Sequence, residues 1–90
     1  DLGDASGAES AFARAVAVDP AHARGWNNLA HARLDQGRLD EAEQALKRAL
    51  AAQPDHALAF LNLARVERSR GNAELARKYD GLAEGLGKAP

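Results

Sequence analysis

Residues of the same kind return every 34 positions, which confines the chain to a stack of small supersecondary units. Gly3, Gly37 and Gly71 fall one period apart, as do Ala8, Ala42 and Ala76, then Ala15, Ala49 and Ala83, and Pro20 and Pro54. Trp26 is answered by Phe60, and Asn28-Leu29-Ala30 returns as Asn62-Leu63-Ala64. Small, aromatic and breaker residues held in one register mark units that bury apolar surface by stacking on their neighbours. Such stacks generally bind partners; they rarely carry out chemistry.

The spacing inside each period is helical. Trp26, Leu29, Ala30 and Leu34 precede Gly37, and Phe60, Leu63, Ala64 and Val66 precede Gly71. A glycine at the end of such a run can take the positive φ that finishes a helix without a Cβ clash. Asp40 with Glu43, and Ser6 with Glu9, read as capping boxes that open the next helix. Pro20 and Pro54 then stop those helices, since proline lacks an N–H and pushes its predecessor out of the α region. Five helices are expected, at 6–18, 23–36, 40–52, 57–70 and 73–85. Connections of a few residues make consecutive helices antiparallel. Gly81, Gly85, Gly87 and Pro90 predict a fraying C-terminal tail.

These residues resemble the tetratricopeptide repeat. The family pattern has a large residue, then Leu, then a small residue in its first helix, and Gly between helices. Two Ala positions and a large residue follow in the second helix, and Pro ends the unit. Trp26, Leu29, Ala30, Gly37, Ala42, Leu46, Ala49 and Pro54 satisfy it for residues 23–56. Phe60, Leu63, Ala64, Gly71, Ala76 and Ala83 satisfy it for 57–90, and Gly3, Ala8, Phe12, Ala15 and Pro20 fit the second half of a repeat over 1–22. The resemblance covers the whole chain. It implies one all-α domain, a right-handed α-solenoid of stacked antiparallel helix pairs comprising about two and a half repeats. Two positions depart from the pattern: Arg33 and Glu67 stand where the family usually has a large residue, and Asp80 stands where Phe12 and Leu46 stand in the other units. The carboxylate suggests a helix that meets solvent, or packing shifted onto Tyr79 and Leu82. With Lys78 and Glu84 it would suit a terminal repeat, because stack ends need a polar face.

Composition narrows the function further. The formal net charge is −1, too balanced for whole-molecule attraction to nucleic acid or anionic lipid. No apolar run approaches the roughly 20 residues that span a bilayer, and zero cysteines exclude disulfides and thiolate metal sites. The chain opens on Asp1 partway through a repeat, as an excised or processed piece would. His22, His31 and His56 are the only residues that invite a metal or acid–base proposal. His22 and His56 sit one repeat apart, too far to share an ion bound at about 2.0–2.1 Å. No nucleophile elbow, phosphate-cradling loop or HExxH pattern occurs. Neither catalysis nor a cofactor is expected.

What remains is a surface. In the family the first helix of each repeat lines a concave groove. Carried onto this chain, that face comprises Arg24, Asn27, Asn28, His31 and Asp35, then Leu58, Leu61, Asn62, Arg65, Arg68 and Ser69. Asn28 and Asn62 could bond a peptide backbone as donor and acceptor together, and Arg24, Arg65 and Arg68 could fork onto carboxylates. The expected function is a non-catalytic scaffold that binds a protein or peptide segment, an acidic one by this charge balance, and neither nucleic acid nor membrane. The bland reading keeps these residues as a solvated helix face. Two other roles stay open, an accessory or docking domain of a larger enzyme and self-association. A helix 6–18 without a preceding partner would leave Phe12 and Val16 open, and a weak homodimer through it is expected.

Overall fold

The structure, a computed structural model, describes residues 2–87, with side chains described for 7–86. It contains α1 (Leu2–Val18), α2 (Ala23–Asp35), α3 (Leu39–Ala52), α4 (Ala57–Ser69) and α5 (Ala73–Gly87), with no strand among the described residues. Each helix packs on the next in the chain, and α2 also packs on α4, while α1, α3 and α5 make no such approach to one another among the described residues. The first helices of successive units are therefore closer than the second helices. That difference bends the stack and places α2 and α4 on its inner side. The body measures 34 × 29 × 18 Å.

Gly37 and Gly71 end α2 and α4 at φ 75° and 86°, the only positive φ values among the described residues. Both turns are Schellman motifs. Gly37 N–H donates to Leu34 C=O at 2.9 Å and Arg38 N–H to Arg33 C=O at 2.9 Å, while Gly71 N–H donates to Arg68 C=O at 3.1 Å and Asn72 N–H to Glu67 C=O at 2.8 Å. The other two turns follow α1 and α3, which stop at Val18 and Ala52, two residues before Pro20 and Pro54.

The core lies between the helix pairs. Leu29, Ala30, Ala42, Ala45, Leu46, Ala49, Ala59, Leu63 and Val66 are buried and mutually packed, as are Ala64, Ala76 and Ala83 at their own contacts. Alanines at these positions let helix axes approach closely, where larger side chains would overpack at roughly 1–3 kcal/mol. Gly25 extends the same logic. A Cβ there would lie 3.1 Å from Val16 Cγ1, so α2 meets α1 through a glycine.

Several details differ from the sequence reading. α1 starts at Leu2 and runs through Gly3 and Ser6, so Ser6 is not an N-cap; its side chain lies outside the described ones. Asp40 does not cap α3 either. The N-cap is Arg38, without a side-chain cap bond, and Asp40 falls inside the first turn. α5 continues through Gly81 and Gly85 as far as Gly87, beyond the expected end, and Pro90 lies outside the described residues. Trp26, the large residue of the repeat pattern, which would be expected to fill the space between helices, is half-buried. Its indole N–H donates to Pro20 C=O at 2.8 Å, which holds the ring at the turn, and the Arg48 guanidinium covers it 5.7 Å from the centroid.

Candidate functional site

The inner face is built on the contact between α2 and α4. Its floor is a buried side-chain hydrogen bond, Asn62 Nδ2 donating to Asn27 Oδ1 at 2.8 Å. This bond joins the two helices, and Asn62 Oδ1 also accepts from Arg65 Nη1 at 3.4 Å, so Asn62, read from the sequence as a peptide-bonding residue, already has partners within the chain. Asn27 is buried because α4 covers it. Leu61, one period later, is exposed, as is Leu58. Asn28 is half-buried on the same face.

The charged residues of the face divide into two sets. Arg65 is held from three sides: its Nη1 lies 3.0 Å from His31 Nδ1 and donates to Asn62 Oδ1 at 3.4 Å, and its Nη2 lies 3.9 Å from Asp35 Oδ1. With the Arg65 N–H directed at it, His31 Nδ1 must be the acceptor, which leaves Nε2, 3.7 Å from Asp35 Oδ2, as the protonated nitrogen. Arg68 donates to Asp80 on α5. Asp80 therefore does not simply meet solvent; it pairs with an arginine, while its neighbour Tyr79 packs on the core and stacks on Phe60, 6.2 Å between ring centroids, and Leu82 stays exposed. The face holds Arg24, Arg65 and Arg68 against Asp35 and Asp80, a smaller excess than the sequence implied. Arg24 alone has no hydrogen bond or ion pair among the described residues.

The entrance to this face is formed by the first turns of α2 and α4. Their N-caps, His22 and His56, make no side-chain cap bond, and neither helix has an acid in its first turn. Burial of His56 pushes its pKa below 6.5, Asp55 opposes the shift, and nearby Arg24 adds to it. His56 Nε2 is buried without a partner. No three metal-ligating side chains gather anywhere among the described residues.

Sequence reasoning missed the polar junctions that join successive units behind this face. Glu9 on α1 accepts from Gln36 Nε2 at 2.8 Å, Arg33 Nε at 3.3 Å and Arg38 Nη1 at 2.5 Å. Glu43, one period on, lies 3.0 Å from Arg70 Nη1, and Arg70 also holds Asp40 at 2.5 Å and the buried Glu67 at 3.1 Å. Arg33 and Glu67, which depart from the repeat pattern, are thus junction residues, and the acids read as capping boxes serve the same junctions. The recurrence of Glu9 as Glu43 was the available signal. Away from the inner face, an apolar hollow of about 380 Å³ lies among Pro54, Phe60, Gly81, Leu82, Gly85 and Leu86. It exists because Gly81 and Leu82 stand where Lys47 and Arg48 stand one unit earlier, beside Trp26.

No helix among the described residues is long and apolar enough to cross a membrane. In comparisons with known proteins, a family model described as tetratricopeptide repeat matches residues 1–63 and again 34–79. No curated protein matches the chain.

Proposed function

The chain belongs to the tetratricopeptide repeat family, and from that premise we propose that its α2–α4 face docks a peptide or protein segment that carries acidic residues. Repeats of this family generally mediate protein–protein interaction and are generally non-catalytic scaffolds. The observation that supports the reading is the join of α2 to α4, the two helices that carry exposed Leu58 and Leu61 and the three arginines. The leucines offer an apolar seat, and the charges supply orientation and encounter rate. The proposed lining is Arg24, Asn28, His31, Leu58, Leu61, Arg65 and Arg68, with Asn27 and Asn62 as its floor. An accessory role within a larger enzyme would use the same face.

A selection of peptides on the intact chain, followed by titration of the winners at rising salt, tests this. Binding is expected to weaken as the Debye length shrinks from about 10 Å at 0.1 M to about 3 Å at 1 M. It is also expected to vanish in the Leu58→Ser/Leu61→Ser double variant with its helical signal unchanged, and to survive Lys47→Glu on α3. Binding that ignores salt and tolerates the leucine changes would move the site elsewhere.

Self-association through α1 is the second reading. Val16 is buried and Phe12 half-buried against their own chain, so the open seam is narrower than expected and consists of Ala11, Ala15 and Val18. Val18 is 87% exposed and favours a weak homodimer there. Sedimentation across a concentration series decides it, with a strictly monomeric result excluding the contact.

A further inference from the structure

We propose that the apolar hollow at Phe60 is a docking seat for an arginine side chain of a partner protein, separate from the inner face. The chain itself shows what covers the equivalent place one unit earlier. There the Arg48 guanidinium lies over the Trp26 ring, 5.7 Å from its centroid, and the indole N–H donates to Pro20 C=O at 2.8 Å. One period on, both devices are missing. Phe60 has no N–H to give, and Pro54 C=O accepts no hydrogen bond among the described residues. Leu82 takes the place of Arg48, and Gly81 that of Lys47. The chain does not close the hollow of about 380 Å³ that results. Leu82 is 52% exposed, and a Cβ at Gly81 or Gly85 would meet nothing within 4 Å. Tyr79 stacks on Phe60, yet among the described residues no cation lies over either ring.

Charge selects the occupant. Residues 19–22 and 44–52, around Trp26, carry Asp19, Lys47 and Arg48, one positive charge in excess. Their counterparts at 53–56 and 78–86 carry Asp55, Lys78, Asp80 and Glu84, two negative charges in excess. Asp80 is already paired with Arg68. Asp55, beside Pro54 in the turn, is exposed and makes no hydrogen bond or ion pair, acting only on neighbouring His56. A partner's leucine would fill the hollow but leave Asp55 and the Pro54 carbonyl to water. An arginine answers each feature. Its stem covers Leu82 and Leu86, its planar guanidinium faces the Phe60 ring, and its N–H groups meet the acceptors of the turn.

The test is an NMR titration of the intact chain with N-acetyl-arginine amide. The amides of N-acetyl-citrulline, which keeps the shape without the charge, and of N-acetyl-leucine serve as comparisons. Arginine is expected to shift the Phe60 ring protons and the signals of Gly85 and Leu86. Citrulline should bind at least about two- to fivefold more weakly, the loss of one exposed cation–π contact, and leucine more weakly still. Phe60→Leu should weaken arginine binding by a similar factor. Leu82→Arg, at an exposed position, should restore the chain's own cover and abolish the Phe60 shifts, with the helical signal of both variants unchanged. Leucine that binds as tightly as arginine, or arginine binding that survives Leu82→Arg, would overturn the proposal. Shifts confined to the inner face, or none at the solubility limit of the arginine amide, would do the same. Phe60 signals that move with protein concentration alone would give the seat to a second copy, and signals that move on Lys88→Ala in the free protein would give it to the chain's own tail; either result overturns the partner arginine.

Discussion

At the scale of single residues, the glycines separate into three kinds that composition cannot distinguish. Gly37 and Gly71 hold positive φ and finish helices, and an added Cβ there is strained even though nothing stands in its way. Gly25 faces Val16 and admits α1. Gly81 and Gly85 sit inside α5 with ordinary helical backbone, and a Cβ at either would meet nothing within 4 Å. Substitution should therefore have opposite signs. Gly81→Ala and Gly85→Ala are each expected to raise stability by about 0.5–1 kcal/mol, the usual penalty of glycine in a helix. Gly37→Ala and Gly71→Ala should each cost about 1–2 kcal/mol. Chemical denaturation of the four single variants checks this, and a loss at Gly81 comparable to that at Gly37 would show that α5 needs its glycines. The sequence register identified Gly37 and Gly71 correctly because the helix spacing before them demanded an end. It marked Gly81, Gly85, Gly87 and Pro90 as a fraying tail and ended the helix at 85, whereas α5 runs to Gly87, a bound that neither residue type nor spacing reveals.

At the scale of elements, the units are joined by two unlike forces. Apolar packing of Leu46 and Ala49 against neighbouring helices is what the 34-residue comb records, and it was legible. The polar junctions were not, because an acid next to a helix start has a local explanation, capping, that conceals the longer-range one. Arg70 shows what is at stake. It bridges Asp40 and Glu43 on α3 to Glu67 on α4, and Glu67 is only 2% exposed. Arg70→Met would leave that buried carboxylate with Asn72 Nδ2 at 2.9 Å as its remaining side-chain partner. The expected cost is about 1–3 kcal/mol, read by denaturation, while a neutral result would show the junction to be incidental. Acid should loosen the stack by related chemistry. Bonds from Gln36, and then from Arg33 and Arg38, hold the Glu9 carboxyl below 4.5, and Arg38 does the same for Glu41. A depressed carboxylate contributes stability that is present above its unfolded value and lost as pH falls through the folded one. His56, depressed by burial, also disfavours the protonated form, so its contribution erodes as pH falls below 6.5. The Tm should thus decline on acidification in two stages, a first below pH 6.5 that His56→Gln removes and a second below about 4.5 that Glu9→Gln reduces. A Tm that is flat between pH 7 and about pH 5 would contradict the His56 assignment, and one that does not fall further below about pH 4.5 would contradict the Glu9 assignment.

At the scale of the whole molecule, the contact between α2 and α4 is the only one that skips a helix among the described residues, so the fold approaches a one-dimensional chain of interfaces. Stability in such a stack depends on how many neighbours a helix has. α2 touches α1, α3 and α4, α4 touches α2, α3 and α5, and α3 is enclosed between α2 and α4, whereas α1 and α5 each rest on a single helix among the described residues. The same asymmetry explains which sequence expectations failed. Phe12 and Ala15 have the register of Leu46 and Ala49 but less cover, because burial at a repeat position requires the neighbouring unit as well as the residue. Asn27 and Leu61 share one register position in the same way, and one is floor while the other is open surface. Candidate groove residues could be named from the repeat pattern, but their availability depended on partners such as Asp80 and Asn27 that are distant in sequence. Amide hydrogen exchange should follow neighbour count. The slowest amides are expected around Leu29–Ala30 in α2 and Leu63–Ala64 in α4, approaching the rate set by global unfolding, then Leu46–Ala49 in α3, with α1 and the end of α5 exchanging through local opening. Ligand at the inner face would slow exchange in α2 and α4 beyond that pattern. Protection in α1 equal to that in α3, in free monomeric protein, would mean that the stack unfolds as one unit and that neighbour count does not govern it.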